Sequence, residues 1–368
     1  MRRPALLALP LLVSFALAAA EPVAKRPLTV DDIWSVVRVG APAVSRDGAV
    51  AVYPRSVWDA EKNRLLSDLW LQPVAGGPGR RLTAHEAGES SPAISPDGSR
   101  VVFVAKRDGD EVAQLYLLRL DGGEAERLTE IPATPMSPRW TADGTRIVFS
   151  ANVLGESLET TKAEVARRKK EEKPRVVATV SERRLVRSWD RWVEQDEWPH
   201  LFSLDLATRG VADLTPGMKR LGSQGDGLAF DVARDGSIVF AANSTEPPYR
   251  TLNTDLFLVP AGGGAPRNLT ADNPAEDAAP VFSPDGKTIA YGREAKADGW
   301  PDRTRLALLD VGTGKTTVLT EGWDRVPQGW SFTPDGRTLF FLAEDRARTH
   351  VWSLPVSGGT PKVVWKGG

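Results

Sequence analysis

The stretch Arg187-Ser188-Trp189-Asp190-Arg191-Trp192-Val193-Glu194-Gln195-Asp196-Glu197-Trp198 gathers three of the chain's twelve tryptophans among arginines and carboxylates. Flat rings beside charged groups suit a ligand or partner surface: the rings supply contact area and the charges supply register. Arg187, Trp189, Asp190, Trp192, Glu194 and Glu197 are the residues through which such a surface would act. The same aromatics could instead pack a neighbouring insertion onto the fold, and at this level both readings stand.

Bond-breaking chemistry finds no comparable cluster. The nearest approach to a Gly-x-Ser-x-Gly nucleophile elbow is Leu221-Gly222-Ser223-Gln224-Gly225, which lacks the first glycine and leads into a strand where the elbow needs a helix. Of the three histidines, His200 and His350 open equivalent strands and read as structural, and His85 lies in a loop. No pair has metal-ligand spacing, so neither a triad nor a zinc site can be assembled. Gly312-Thr313-Gly314-Lys315-Thr316 lacks the first glycine of a phosphate loop and sits between two strands. No catalytic residue, metal or cofactor is therefore expected. Basic stretches are interleaved with acids, which argues against nucleic acid as a partner.

The elements that must position these residues announce themselves by repetition. Ser45-Arg46-Asp47-Gly48 returns as Ser95-Pro96-Asp97-Gly98, Thr141-Ala142-Asp143-Gly144, Ala233-Arg234-Asp235-Gly236, Ser283-Pro284-Asp285-Gly286 and Thr333-Pro334-Asp335-Gly336. The aspartates step by 50, 46, 92, 50 and 50 residues, and the long step is two short ones run together. Proline presets the turn, aspartate bonds its own backbone, and glycine takes the positive φ that closes a hairpin. An apolar residue precedes each turn and a β-rich run such as Val101-Val102-Phe103-Val104 follows, which predicts strands buried on both faces. A third strand (Asp68-Leu69-Trp70-Leu71, His200-Leu201-Phe202) and a fourth ending in Leu-Thr (Leu82-Thr83, Leu128-Thr129, Leu214-Thr215, Leu269-Thr270, Leu319-Thr320) complete each unit. The fold class is all-β, a β-propeller of four-stranded blades, about six of them and TolB-like, at roughly 40–84, 90–130, 136–216, 226–271, 277–321 and 327–366. Trp70, Trp140, Trp330 and Trp352 fall on blade strands and are expected between blades.

Blade three carries a charged insertion at about 156–184, with Lys169-Lys170-Glu171-Glu172-Lys173 at its densest. Helix formers up to Pro174 predict an exposed helix of about four turns and then an arginine-rich hairpin, either simply solvated or shaping access to something bound nearby. Ahead of blade one, residues 21–39 form a lead-in where Thr29 caps a helix with Asp32 three residues on, and Ile33, Trp34, Val36 and Val37 are expected to pack inward.

Residues 1–20 have the three parts of a secretory signal peptide: Arg2-Arg3, an apolar run, and Ala18-Ala19-Ala20. The run falls short of a membrane span, so cleavage near Ala20 would leave a chain in the periplasm or outside the cell with no span, its propeller filling 40–368. The net charge of −1 suggests no polyanionic partner, and the absence of cysteine leaves packing alone to hold an exported fold.

Leu28-Thr29-Val30-Asp31-Asp32 followed by Pro42-Ala43-Val44-Ser45, the Ser-Pro-Asp-Gly repeats, and Trp189-Asp190-Arg191-Trp192 leading to His200-Leu201-Phe202 and Asp213-Leu214-Thr215-Pro216-Gly217 resemble the N-terminal propeller of the prolyl oligopeptidase family of serine peptidases, in its acylaminoacyl-peptidase and dipeptidyl-peptidase-like branch. The resemblance implies a propeller that caps an α/β-hydrolase domain, filters peptides by size and, in exopeptidases, offers carboxylates to a substrate's amine. No amine-binding pair transfers cleanly: Glu171-Glu172 lies in a charge run, and Glu194, Asp196 and Glu197 match by neighbourhood only. The sequence reaches Gly368 after six blades, where the family continues towards its catalytic domain, so the resemblance implies a propeller-only or truncated relative without activity of its own. Its partners would be peptides or a separate hydrolase domain; alternatively, a TolB-type propeller would bind an envelope protein.

Overall fold

The computed structural model describes residues 26–171, 187–188, 191–192, 196–222, 227–243, 253–297 and 302–367. The proposed signal peptide and Ser223 lie outside them. Two units separate at Val36. In the first, helix α1 (Val30–Trp34) begins with the expected capping box, Thr29 and Asp32 each bonding the other's backbone, and Arg26 adds an ion pair to Asp32 at 2.6 Å. This helix buries none of its residues, and Ile33, Trp34 and Val36 stay exposed, as does Val37 in the second unit. Five residues held by caps and ions need no apolar face of their own.

The second unit is a six-bladed propeller. Each blade is an antiparallel sheet of consecutive strands; blade two, for example, runs Glu89–Ile94, Arg100–Ala105, Gln114–Arg119 and Glu126–Arg127. Blade one adds a fifth short strand, because its inner edge is split into Arg38–Val39 and Ala43–Val44, both paired with Val50–Asp59. Among the described residues no blade borrows a strand from another.

Two side-chain devices recur, and each explains a sequence repeat. In the first turn of blade two the Ser95 hydroxyl donates to Asp97 Oδ1 (2.5 Å), Asp97 accepts from Ser99 N (3.1 Å), and Arg100 N donates to Ser95 Oγ (2.9 Å). The same bonds recur around Asp47, Asp143, Asp285 and Asp335, and the glycines closing all six turns have φ between 68° and 86°. The donated hydroxyl holds Asp97 and Asp143 down at about 2. The Leu-Thr pairs are clips: the threonine hydroxyl accepts the buried third-strand amide of Leu69, Leu115, Leu201, Leu256 or Leu306 at 2.9 to 3.0 Å. A buried donor left by the short fourth strand is thereby satisfied.

Five apolar clusters fill the junctions one-two, two-three, three-four, four-five and five-six. Trp140 of blade three crosses one of them, its indole N–H donating to Ala93 O of blade two at 2.9 Å. Trp330 and Trp352 lie in the five-six cluster as expected. Between blades six and one the described residues form no such cluster. Blade six leaves Phe340, Leu342, Val363, Val364 and Trp365 exposed, and blade one leaves Val44 and Leu65. Trp70 alternates with the buried Leu69 and Leu71, so it turns to the uncovered face of blade one and is only half-buried under Arg55, 5.0 Å from its ring. Burial on both faces thus holds for blades two to five and fails for one face of each terminal blade, because strand pairing within a blade does nothing to cover its flat side.

In blade three the insertion forms helix α2 (Leu158–Lys170), capped by Ser157 and Thr160 and carrying four basic residues in its last turn, where they complement the helix dipole. It buries only Thr161, whose hydroxyl accepts from Leu154 N (2.8 Å), while Lys169 reaches Glu111 of blade two at 2.7 Å.

Candidate functional site

The inner strands and first turns of blades one to five surround a cavity of about 720 Å³. Its walls in blades two and three carry a feature that the strand pattern hides. In blades two, three, five and six the inner strand slips register, and the slip carries a residue at positive φ: Ser91, Ser137, Ala279 and Gly329, at 51° to 57°. A non-glycine residue takes that conformation only where its surroundings impose it. The sequence signal was present in Ser91-Pro92, Ser137-Pro138 and Ala279-Pro280, since proline inside a strand marks an edge or a bulge.

Among the described residues, four charged ones line the cavity: Arg46, Arg139, Asp231 and Arg234. Arg139 of blade three lies 3.5 Å from Asp231 Oδ1 of blade four and over the Phe230 ring at 5.7 Å. Asp231 Oδ2 accepts the blade-five amide Phe282 N at 2.8 Å. One carboxylate therefore ties three blades together; burial pushes its pKa up, while Arg139 and the amide pull the other way. Reading the sequence for clusters missed these residues because Arg46, Arg139 and the Asp231–Arg234 pair stand more than ninety positions apart and meet only when the blades close round a common axis.

The aromatic-carboxylate stretch is placed in part. Backbone at Arg187–Ser188 and Arg191–Trp192 forms a two-stranded hairpin with Arg187 opposite Trp192. Trp189, Asp190 and Glu194, and the side chains of Arg187 and Trp192, lie outside the described residues. Glu197 opens the third strand of blade three and borders a cleft of about 320 Å³ beneath α2, with Asn152, Thr161 and Arg168. Trp198 is buried in the cluster between blades two and three, which favours packing for that member of the stretch.

The histidines are occupied structurally. His200, fully buried, bridges Asp213 Oδ2 (2.7 Å) and Met218 O (2.9 Å), and His350 Nδ1 accepts from Gly367 N at 3.1 Å. Lys315 falls in the hairpin closed by Gly314 N to Asp310 O, which presents no helix N-terminus to a phosphate.

Two buried carboxylates stand at repeat-related places, each facing an arginine from the end of the neighbouring strand. Glu89 accepts from Thr83 Oγ1 (2.9 Å) and Arg107 (3.1 Å), and Asp277 accepts from Asn273 (2.9 Å) with Arg293 at 4.0 Å. Burial outweighs these partners and raises both to about 7.

With this geometry in view, residues 65–188 match the family described as the Tricorn protease N-terminal beta propeller domain. Dipeptidyl-peptidase 5 of Porphyromonas gingivalis is 29% identical over 361 residues, covering 92% of this chain and 49% of that protein. The chain is a propeller related to those of peptidases. Dipeptidyl-peptidase 5 of Trichophyton schoenleinii is also 29% identical, over 55% of the chain and 31% of its own length. The chain thus spans about half the length, or less, of these curated relatives. In fold it is similar to the acylaminoacyl peptidase of Pyrococcus horikoshii (TM-score 0.65, 16% identity, 90% of this chain and 46% of that one). It is also similar to the propeller domain of the Trilobed protease from Pyrococcus furiosus, described as having an open velcro topology (TM-score 0.59, 13% identity, 90% and 86% covered).

Proposed function

We propose that this propeller is the non-catalytic, peptide-admitting part of a serine peptidase, carried out of the cytoplasm by residues 1–20, with hydrolysis performed by a separate hydrolase domain. The observation that carries the reading is the match to dipeptidyl-peptidase 5 along 92% of this chain but only 49% of that protein. The cavity supports it physically: about 720 Å³ is within the range that takes a short ligand. The test is to assay the purified full chain on dipeptidyl and aminoacyl chromogenic substrates, alone and with an added hydrolase domain. Turnover only in the mixture is expected. Turnover by the chain alone that a serine-directed inhibitor stops overturns the reading. Stoichiometric capture of an envelope protein without peptidase activity would favour the TolB-type binding alternative.

A further inference from the structure

The second position of the repeated turn is proline in blades two, five and six and alanine in blade three, but arginine in blades one and four. Proline is what the turn's own geometry favours there. The two arginines are therefore not required by the hairpin, and both, Arg46 and Arg234, line the central cavity. They are exposed, and among the described residues neither takes part in an ion pair. Arg139 adds a third guanidinium, and the single carboxylate of the lining, Asp231, is already engaged by Arg139 and Phe282 N. Among the described residues the lining carries three positive charges against one negative, in a chain whose overall balance is −1.

The aspartates that follow the two arginines do not cancel this. Asp47 Oδ1 is held by Ser45 Oγ (2.6 Å) and Ala49 N (3.0 Å), and Asp235 accepts Ser237 N (2.9 Å), so both face their own loops and neither lines the cavity. Arg234 also borders a second cleft shared with Asp285 and Asp335; Asp285 is likewise held within its own turn by Ser283 and Lys287 N, and Asp335 by Thr333 and Arg337 N.

We infer that the turn-side part of the cavity, through Arg46 and Arg234 with Arg139 of the blade-three inner strand, is a carboxylate-binding site that selects acidic peptides. Guanidinium groups pair with carboxylates through two parallel charge-assisted bonds, and the charge excess raises the local concentration of an anionic ligand. The inference takes its peptide ligand from the reading above; the charge asymmetry stands without it.

The probe is a dansyl-labelled octapeptide with four glutamates and blocked ends, compared by fluorescence anisotropy with its all-glutamine twin at 20 mM and 300 mM KCl. The glutamate peptide is expected to bind about tenfold more tightly at low salt, and screening at 300 mM should remove most of the difference. In R46A/R234A, which installs the residue that blade three already uses, the preference should fall to less than about twofold, since both charge partners are gone. Equal binding of the two peptides, or a preference surviving in the variant, overturns the inference and leaves the peptide reading intact. If neither peptide binds while a tetragalacturonate does so only with both arginines present, the site binds carboxylates and it is the peptide reading that fails.

Discussion

Phe340 and Phe341 are neighbours on one strand, Thr338–Asp345 of blade six, and point to opposite faces of it. Phe341 is 1% exposed, packed edge-on to Trp323 at 5.6 Å, whereas Phe340 is 38% exposed on the face that, among the described residues, meets no other blade. Truncating Phe341 to alanine loses transfer energy and opens a cavity, about 3–5 kcal/mol. Truncating Phe340 loses only the transfer energy of the part that is covered, roughly three-fifths of a side chain worth about 1.5–3 kcal/mol when fully buried, with no cavity because solvent fills the space; the cost is about 1–2 kcal/mol. The assay is urea denaturation followed by far-UV circular dichroism, with Phe341→Leu as a milder probe, expected at about 1 kcal/mol, in case Phe341→Ala does not fold. A gap of about 2 kcal/mol between the two alanine variants is expected from these figures. Equal costs would mean that blade six is covered in solution and would refute the uncovered seam.

Thr129→Val keeps the shape of the blade-two clip but orphans Leu115 N and one bond of Gln114; a loss of about 1–3 kcal/mol is expected in the same denaturation assay, and Thr129→Ser should recover most of it. Stability should also rise as pH falls from about 7 towards 5. Burial raises the folded-state pKa of Glu89 and Asp277 to about 7, so the folded chain holds more protons than the unfolded one across that window, with a slope of up to about 1.4 kcal/mol per pH unit for each group. Thermal midpoints measured at pH 5, 6, 7 and 8 should show this slope halved in Glu89→Gln, and an unchanged slope would exclude Glu89 as a source.

What could be read from the sequence was chemistry that acts between near neighbours. The Ser-x-Asp-Gly turn, the Thr29 cap, and the strand-turn rhythm each depend on residues within a few positions, and the six sheets begin and end within three residues of the expected blades. The Leu-Thr repeat was visible too, although its reason, a hydroxyl accepting an amide fourteen residues back, was not. Trp140 and Trp70 show where such reading stops. Both lie on blade strands, yet one crosses a junction to bond Ala93 and the other turns to an uncovered face. Which side of a blade meets a neighbour depends on the order of blades round the ring.

The sequence by itself determined the blade, its turns and the number of times it repeats, because hairpin geometry is set by local φ preferences and short-range hydrogen bonds. Only the tertiary structure decided that, among the described residues, five junctions are filled and the sixth is not, and that Arg46, Arg139, Asp231 and Arg234 share one cavity. Those facts depend on the sum of five inter-blade packings, each set by side-chain shape across a face, and no single segment of the chain carries that sum.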